Sequence, residues 1–166
     1  DFISTAMEKA IKMGESNACM KRIVAAPTAG SCGVIPAVFI SYEKLYDVYE
    51  DDVVKALFIA AGIGAVIAEN ASIAGASGGC QAEIGSASGD VDKIVNASAL
   101  ALKSMLGLTC DPVCGLVEVP CIKRNVTGAV NAITASQMSM AGIKSVIPPD
   151  EVIESMKRIG DNMPAC

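Results

Sequence analysis

Five of the seven cysteines fall in three segments rich in glycine, proline and small polar residues: 27–33, 77–88 and 107–125. In that order, the segments hold Cys32, then Cys80, then Cys110, Cys114 and Cys121. Thiolates bind zinc and iron–sulphur clusters, and loops offer side chains and backbone groups that helices hide. Because free cysteine is also among the most buried residue types, spacing alone leaves a metal or cluster site and buried core cysteines equally open.

The spacing disfavours two common thiolate sites. Cys110 and Cys114 could join a zinc site, but the chain has no tight CxxC pair, which argues against a zinc ribbon. The compact cysteine runs of ferredoxins are also missing, which argues against a simple electron carrier. Cys19 lies in an apolar helical context, where we expect it to be a core residue.

Histidine is absent from the chain. Its absence excludes Ser-His and Cys-His nucleophile pairs, histidine acid–base catalysis and histidine metal ligands from this chain. Any chemistry must use cysteine, carboxylates, lysine, hydroxyls, backbone amides, a cofactor or groups supplied by another chain.

Charge and hydropathy exclude further classes. The net charge is −5 with 13 Lys and Arg and no basic stripe, which argues against nucleic-acid binding. The apolar run 56–68, between Lys55 and Glu69, is too short to span a bilayer, so we expect a buried core helix and no membrane partner. No stretch has the order of a signal peptide, and we expect a cytoplasmic protein with reduced thiols.

The composition predicts an all-α fold. The hydrophobic fraction is 52% but the aromatic fraction is only 4%, so the apolar content is mostly Ala, Ile, Val, Leu and Met, which we take to favour close-packed helices. We expect one compact helical domain, 1–166, with loops that converge on the candidate site. Helical periodicity and breaker residues predict helices at 2–13 (with Gly14 as its stop), 34–49, 53–68, 90–106, 126–141 (ended by Gly142) and 148–158.

Three motifs then carry a family resemblance: PTAGSCGVIP at 27–36, SGGCQAEIGS at 77–86 and GLTCDPVCGLVEVPCIKRN at 107–125. Together they resemble the α subunit, or α domain, of the iron–sulphur-dependent L-serine dehydratases, and the likeness covers most of the chain. The resemblance implies a [4Fe–4S] cluster on Cys80, Cys110 and Cys121. Cys32 and Cys114 match positions where the family has other small residues, so we expect them to be structural.

The implied activity is pyridoxal-phosphate-independent conversion of L-serine to pyruvate and ammonia. Three cysteine ligands leave one iron open, and an open metal position can bind a substrate hydroxyl as a Lewis acid. Cys166, at the end of the chain, could cap that iron when substrate is absent, a hypothesis prompted only by its position.

Several other residues are candidates for substrate or charge contacts. Thr28, Gly30 and Ser31 offer hydroxyls and amides for the serine carboxylate or ammonium, although Ser31 could equally be a helix N-cap. Arg124 could bind the carboxylate or, with Lys123, offset the cluster's charge; solvated surface charge is the alternative. Glu83 could accept hydrogen bonds near the cluster, but nothing marks it as the general base.

The chain departs from the family pattern in two ways. It is shorter between Ile84 and Leu106, and it lacks the β domain with its serine- and histidine-containing motifs. We therefore expect the base to come from a β subunit or domain, and the enzyme to be an oligomer. The alternatives are an L-cysteine desulfidase-type relative and a non-enzymatic helical module that binds zinc or a cluster.

Overall fold

The computed structural model describes residues 1–23, 25, 28–71, 90–108 and 120–163. This part of the chain contains six α-helices, one short 3-10 turn and no strand, which confirms the predicted all-α fold. That all of 1–166 forms a single domain stays a prediction. The elements are α1 (Phe2–Ala18), the 3-10 turn (Ala29–Ser31), α2 (Val34–Tyr46), α3 (Glu50–Asn70), α4 (Val91–Ser104), α5 (Cys121–Met140) and α6 (Pro149–Asp161).

Helix α5 lies at the centre of the described helices and packs against α1, α2 and α4. Its contact with α1 is built from alanines: Ala6, Ala10 and Ala129 are all fully buried in one cluster. Such short side chains allow the helix axes to approach closely. Gly14 extends this contact, because a Cβ there would lie 3.2 Å from Ile122 Cα. Gly14 is thus an interior packing residue of α1, and the prediction that it ends the helix is wrong.

A second core cluster joins α3, α4 and α6 around Ile67, Leu102 and Met156. Polar side chains add links between α4 and the central helix. Asn131 of α5 donates its Nδ2 to the carbonyl of Ala101 at 2.9 Å. The first cluster thus packs α1 and α2 on α5, and the hydrogen bond between α5 and α4 helps to attach the second cluster to it.

Some helix ends follow capping chemistry. Asp90 caps α4 by accepting from the Asp92 amide at 3.1 Å. Gly142 follows α5 with φ +85°, as predicted for a residue that ends a helix. The start of α5 differs from the prediction, since the helix begins at Cys121 directly after Pro120 rather than at residue 126. The predicted cluster ligand Cys121 therefore lies on a helix.

Helix α3 differs most from expectation. The prediction of a buried core helix is wrong, because Ile67 is its only buried residue while Phe58 is 76% exposed. The helix lies at the edge of the bundle, where it contacts α6 and α2. None of the described helices is long and apolar enough to cross a membrane.

Two substitutions on α3 test this placement. Ile67→Ala is expected to lower the free energy of unfolding by about 2–5 kcal/mol, because it leaves a cavity in the second cluster. Phe58→Ala should change it by less than about 0.5 kcal/mol, since the ring is mostly in solvent. Urea unfolding followed by far-UV circular dichroism measures both; equal losses would show that the two faces of α3 are assigned wrongly.

Candidate functional site

The described part of the candidate site begins with Cys121, the first residue of α5. Its side chain is 7% exposed. A thiolate in the first turn of a helix lies at the positive end of the helix dipole, which favours the charged form that binds metals. Cys80, Cys110, Cys114, Glu83 and Cys166 lie outside the described residues.

The backbone of residues 28–33, hereafter loop 28–33, lies beside Cys121. A Cβ built on Gly30 would be 4.0 Å from the Cys121 sulphur. The structure thus brings together two sequence-predicted site residues that are ninety-one positions apart. At position 30, a glycine keeps the backbone close to the thiol without a side chain between them.

Thr28 and Ser31 also come together within this loop. Their hydroxyl oxygens are 3.0 Å apart, and the Ser31 hydroxyl donates to the Thr28 carbonyl at 3.3 Å. Ser31 is buried and ends the 3-10 turn, whereas Gly33 precedes α2 as its N-cap. The N-cap interpretation of Ser31 is therefore wrong, and the two hydroxyls form one local polar unit.

Asn125 joins loop 28–33 to α5, and the sequence motifs alone did not mark it as a site residue. Its Oδ1 accepts from the Gly33 amide at 2.7 Å, and its Nδ2 donates to the carbonyls of Gly30 at 2.8 Å and Cys121 at 2.9 Å. The side chain is 2% exposed. A signal was present, because Asn125 is a polar residue one turn after Cys121 on the buried face of an otherwise small-residue helix.

Glycine at position 33 is required for this junction. A Cβ there would lie 2.7 Å from Asn125 Oδ1 and 2.8 Å from the Ala10 carbonyl oxygen. On the other side of the loop, Asn17 of α1 donates its Nδ2 to the Ala29 carbonyl at 2.9 Å. Loop 28–33 is thus held between α1 and α5.

The other two described cysteines differ in their burial. Cys32 is fully buried, with its sulphur 3.9 Å from the Met13 carbonyl, in keeping with the structural role expected for it. Cys19 follows the last turn of α1 and is exposed, so the prediction that it is a core residue is wrong. The helical periodicity around Cys19 was real, but the residue falls just past the helix end.

Two cations follow Cys121 on α5. Arg124 is half-buried and lies three positions after Cys121, which places both on one side of the helix, whereas Lys123 is exposed. Among the described residues, no three cysteine or carboxylate side chains are grouped to hold a metal ion. The part of the site that is described supplies one buried thiol, a glycine-lined approach to it and a nearby arginine, a donor set that suits one corner of a thiolate-bound cluster.

A pair of glycine substitutions tests the packing at the junction. Gly33→Ala is expected to lower the free energy of unfolding by about 1–3 kcal/mol, because the added Cβ overlaps Asn125 and the Ala10 carbonyl. Gly64→Ala on α3, where a Cβ meets nothing within 4 Å, is the control. It should raise stability by up to about 1 kcal/mol through helix propensity. Denaturation of both variants measures the difference, and a Gly33→Ala protein as stable as Gly64→Ala would contradict the packing.

Known proteins resemble this chain over nearly its whole length. A family model described as "Serine dehydratase alpha chain" matches residues 1–166. A probable L-serine dehydratase alpha chain of Bacillus subtilis (strain 168) is 48% identical, over 98% of this chain and 58% of that protein. The corresponding protein of Latilactobacillus sakei is 47% identical, over 99% of this chain and 85% of its own length.

A longer relative is also similar to nearly all of this chain. The L-serine dehydratase TdcG of Escherichia coli (strain K12) is 42% identical over 93% of this chain, which spans 37% of that protein. The chain thus spans little more than half of the Bacillus relative and about a third of the Escherichia one. Because the family model matches the whole chain and the resemblance found in its cysteine motifs is confirmed, the chain belongs to the serine dehydratase alpha chain family.

Proposed function

We propose that this chain is the cluster-binding part of an L-serine dehydratase, a lyase that converts L-serine to pyruvate and ammonia. The observation that carries the proposal is the position of Cys121, buried at the start of α5 with loop 28–33 against its sulphur. Relatives named L-serine dehydratases align with nearly the entire chain and support the same reaction.

The cofactor in this proposal is a [4Fe–4S] cluster held by Cys80, Cys110 and Cys121. When bound through three cysteines, such a cluster supplies an open iron that acts as a Lewis acid on the 3-hydroxyl of L-serine. Of the three, Cys121 is the ligand whose surroundings are described, and those surroundings fit. It is a buried thiol at a helix N-terminus, with glycine backbone beside it.

Residues of this chain then bind and orient the substrate. The hydroxyls of Thr28 and Ser31, held 3.0 Å apart, can bind the carboxylate or ammonium of an amino acid. Arg124 carries a permanent positive charge, which we assign to the serine carboxylate. Gly30 lies between the Thr28 hydroxyl and the Cys121 thiol, so a small amino acid could reach both the hydroxyl and the iron bound at that thiol.

The general base is expected from outside this chain. With no histidine among its residues, the chain has no side chain whose unperturbed pKa lies between about 5 and 8. In this proposal a β subunit or domain supplies the base. That part would account for some of the additional length of the relatives. We propose a cytoplasmic oligomer in which 1–166 forms one helical domain and the β part completes the active site.

Cysteine substitutions test the cluster assignment. Protein purified without oxygen should contain about four irons per chain, and Cys121→Ala should lose most of them together with pyruvate release from L-serine. Cys19→Ala is the matched control: Cys19 is exposed at the end of α1, so iron content and activity should be unchanged.

The same measurement can overturn the proposal. A colourless protein with one zinc per chain, or a Cys121→Ala protein with its full iron content, would contradict it. Faster release of pyruvate from L-cysteine than from L-serine would instead favour the desulfidase alternative.

Arg124 is tested against its neighbour. Arg124→Ala is expected to raise the KM for L-serine about tenfold or more, because a charge-assisted hydrogen bond to the carboxylate is lost. Lys123→Ala, one position away on the exposed side of α5, should leave KM within about twofold. Steady-state kinetics of the complete enzyme decide, and equal KM values for the two variants would remove Arg124 from the substrate site.

A further inference from the structure

We propose that Asn125 is a positioning residue that holds loop 28–33 at a set distance from Cys121. The substrate-binding hydroxyls and the cluster ligand would then keep one geometry. This inference rests on the proposed function, because it assigns a role to the junction between the two halves of that site. Asn125 itself touches neither the thiol nor the hydroxyls in its hydrogen bonds.

The Asn125 amide is matched to its surroundings in one orientation only. Its oxygen faces the Gly33 N–H, and its nitrogen faces the carbonyls of Gly30 and Cys121. A flip of the amide would direct the nitrogen at an N–H and the oxygen at two carbonyls, which replaces three attractions with repulsions. The two hydrogens on Nδ2 bond to two different segments, so one nitrogen atom binds both loop 28–33 and the start of α5.

Packing removes the remaining freedom of this side chain. A Cβ on Gly33 would lie 2.7 Å from Asn125 Oδ1, and one on Gly14 would lie 3.5 Å from Nδ2. The amide therefore lies between α1 and the loop with backbone on both sides. Because buried polar groups are costly to leave unpaired, any displacement of the loop breaks hydrogen bonds that water cannot replace.

The role of Asn125 follows from the groups on the two segments that it joins, the hydroxyls of loop 28–33 and the thiol of Cys121. In the proposed enzyme, L-serine bridges loop 28–33 and the iron bound near Cys121, so the distance between them determines whether the substrate hydroxyl reaches the iron. A misplacement of about 1 Å in such a site can cost about a hundredfold in rate. A purely structural asparagine would instead affect unfolding without affecting substrate binding.

Asn131 provides the matched control. It lies on the same helix, is half-buried and donates Nδ2 to one carbonyl, that of Ala101, on the side of α5 that faces α4. Asn125→Ala and Asn131→Ala thus both delete an asparagine amide that bonds to backbone, but only the first releases the loop. Asn125→Asp is the isosteric variant, which keeps the acceptor for Gly33 and loses both donors.

The experiment compares the three variants in the complete anaerobic enzyme. We expect Asn125→Ala to raise the KM for L-serine about tenfold or more and to lower kcat/KM by about 10–100-fold, with iron content near that of the wild type. Amide hydrogen exchange in 28–33 should accelerate about tenfold, since the Gly33 amide loses its partner. Asn131→Ala should leave KM, iron content and that exchange rate within about twofold of wild type.

The possible outcomes separate this inference from the proposed function. If Asn125→Ala matches Asn131→Ala in KM and in exchange of 28–33, Asn125 is not a positioning residue, even if the wild type turns over L-serine. If the wild type has no iron and no activity, the proposed function fails and this role fails with it. Should Asn125→Ala not fold, Asn125→Asp decides: a raised KM with near-normal iron supports the role, and an unchanged KM overturns it.

Discussion

One buried amide group connects the two parts of the candidate site. Asn125 binds the amide of Gly33 and the carbonyls of Gly30 and Cys121 at 2.7–2.9 Å. The requirement that such a group be fully hydrogen bonded constrains its neighbours. Glycine is needed at position 33 because a Cβ would overlap the amide, and glycine at position 14 lets α1 lie against the first turn of α5. The close alanine packing of α1 and α5 then keeps these backbones at the separation that the amide requires.

This constraint determines the surroundings of Cys121, the candidate cluster ligand. Cys121 is buried and begins the central helix α5, so its thiol lies at the positive end of the helix dipole. Its backbone belongs to the helix that packs against α1, α2 and α4. Metal ligands on rigid elements keep their geometry better than ligands on free loops. The absence of histidine means that the chain can hold and orient a substrate more readily than it can remove a proton from it. This lack is the reason that we propose an active site shared with a second subunit or domain.

The sequence predicted the fold class and the family but not the junction between the site residues. Alanine and other aliphatic residues in helical spacing, with few aromatic residues, were sufficient for an all-α prediction, and the cysteine motifs were sufficient for the family. The beginning of α5 was placed five residues late, because the irregular composition before Pro120 hid the first helical turn. Gly14 was interpreted as a stop because glycine disfavours helix, whereas here close packing against Ile122 outweighs that preference. Periodicity revealed an apolar α3 but could not reveal that Ile67 is its one buried residue. Asn125 was missed because its partner Gly33 is 92 residues away in sequence.

We propose that a three-cysteine cluster binds L-serine through its open iron. Mössbauer spectroscopy of the complete enzyme, loaded with ⁵⁷Fe without oxygen, tests this claim most directly. We predict one iron site distinct from the other three, and we expect L-serine to shift the signal of that site alone. Four iron sites that do not respond to L-serine, or no cluster signal in active enzyme, would contradict the account.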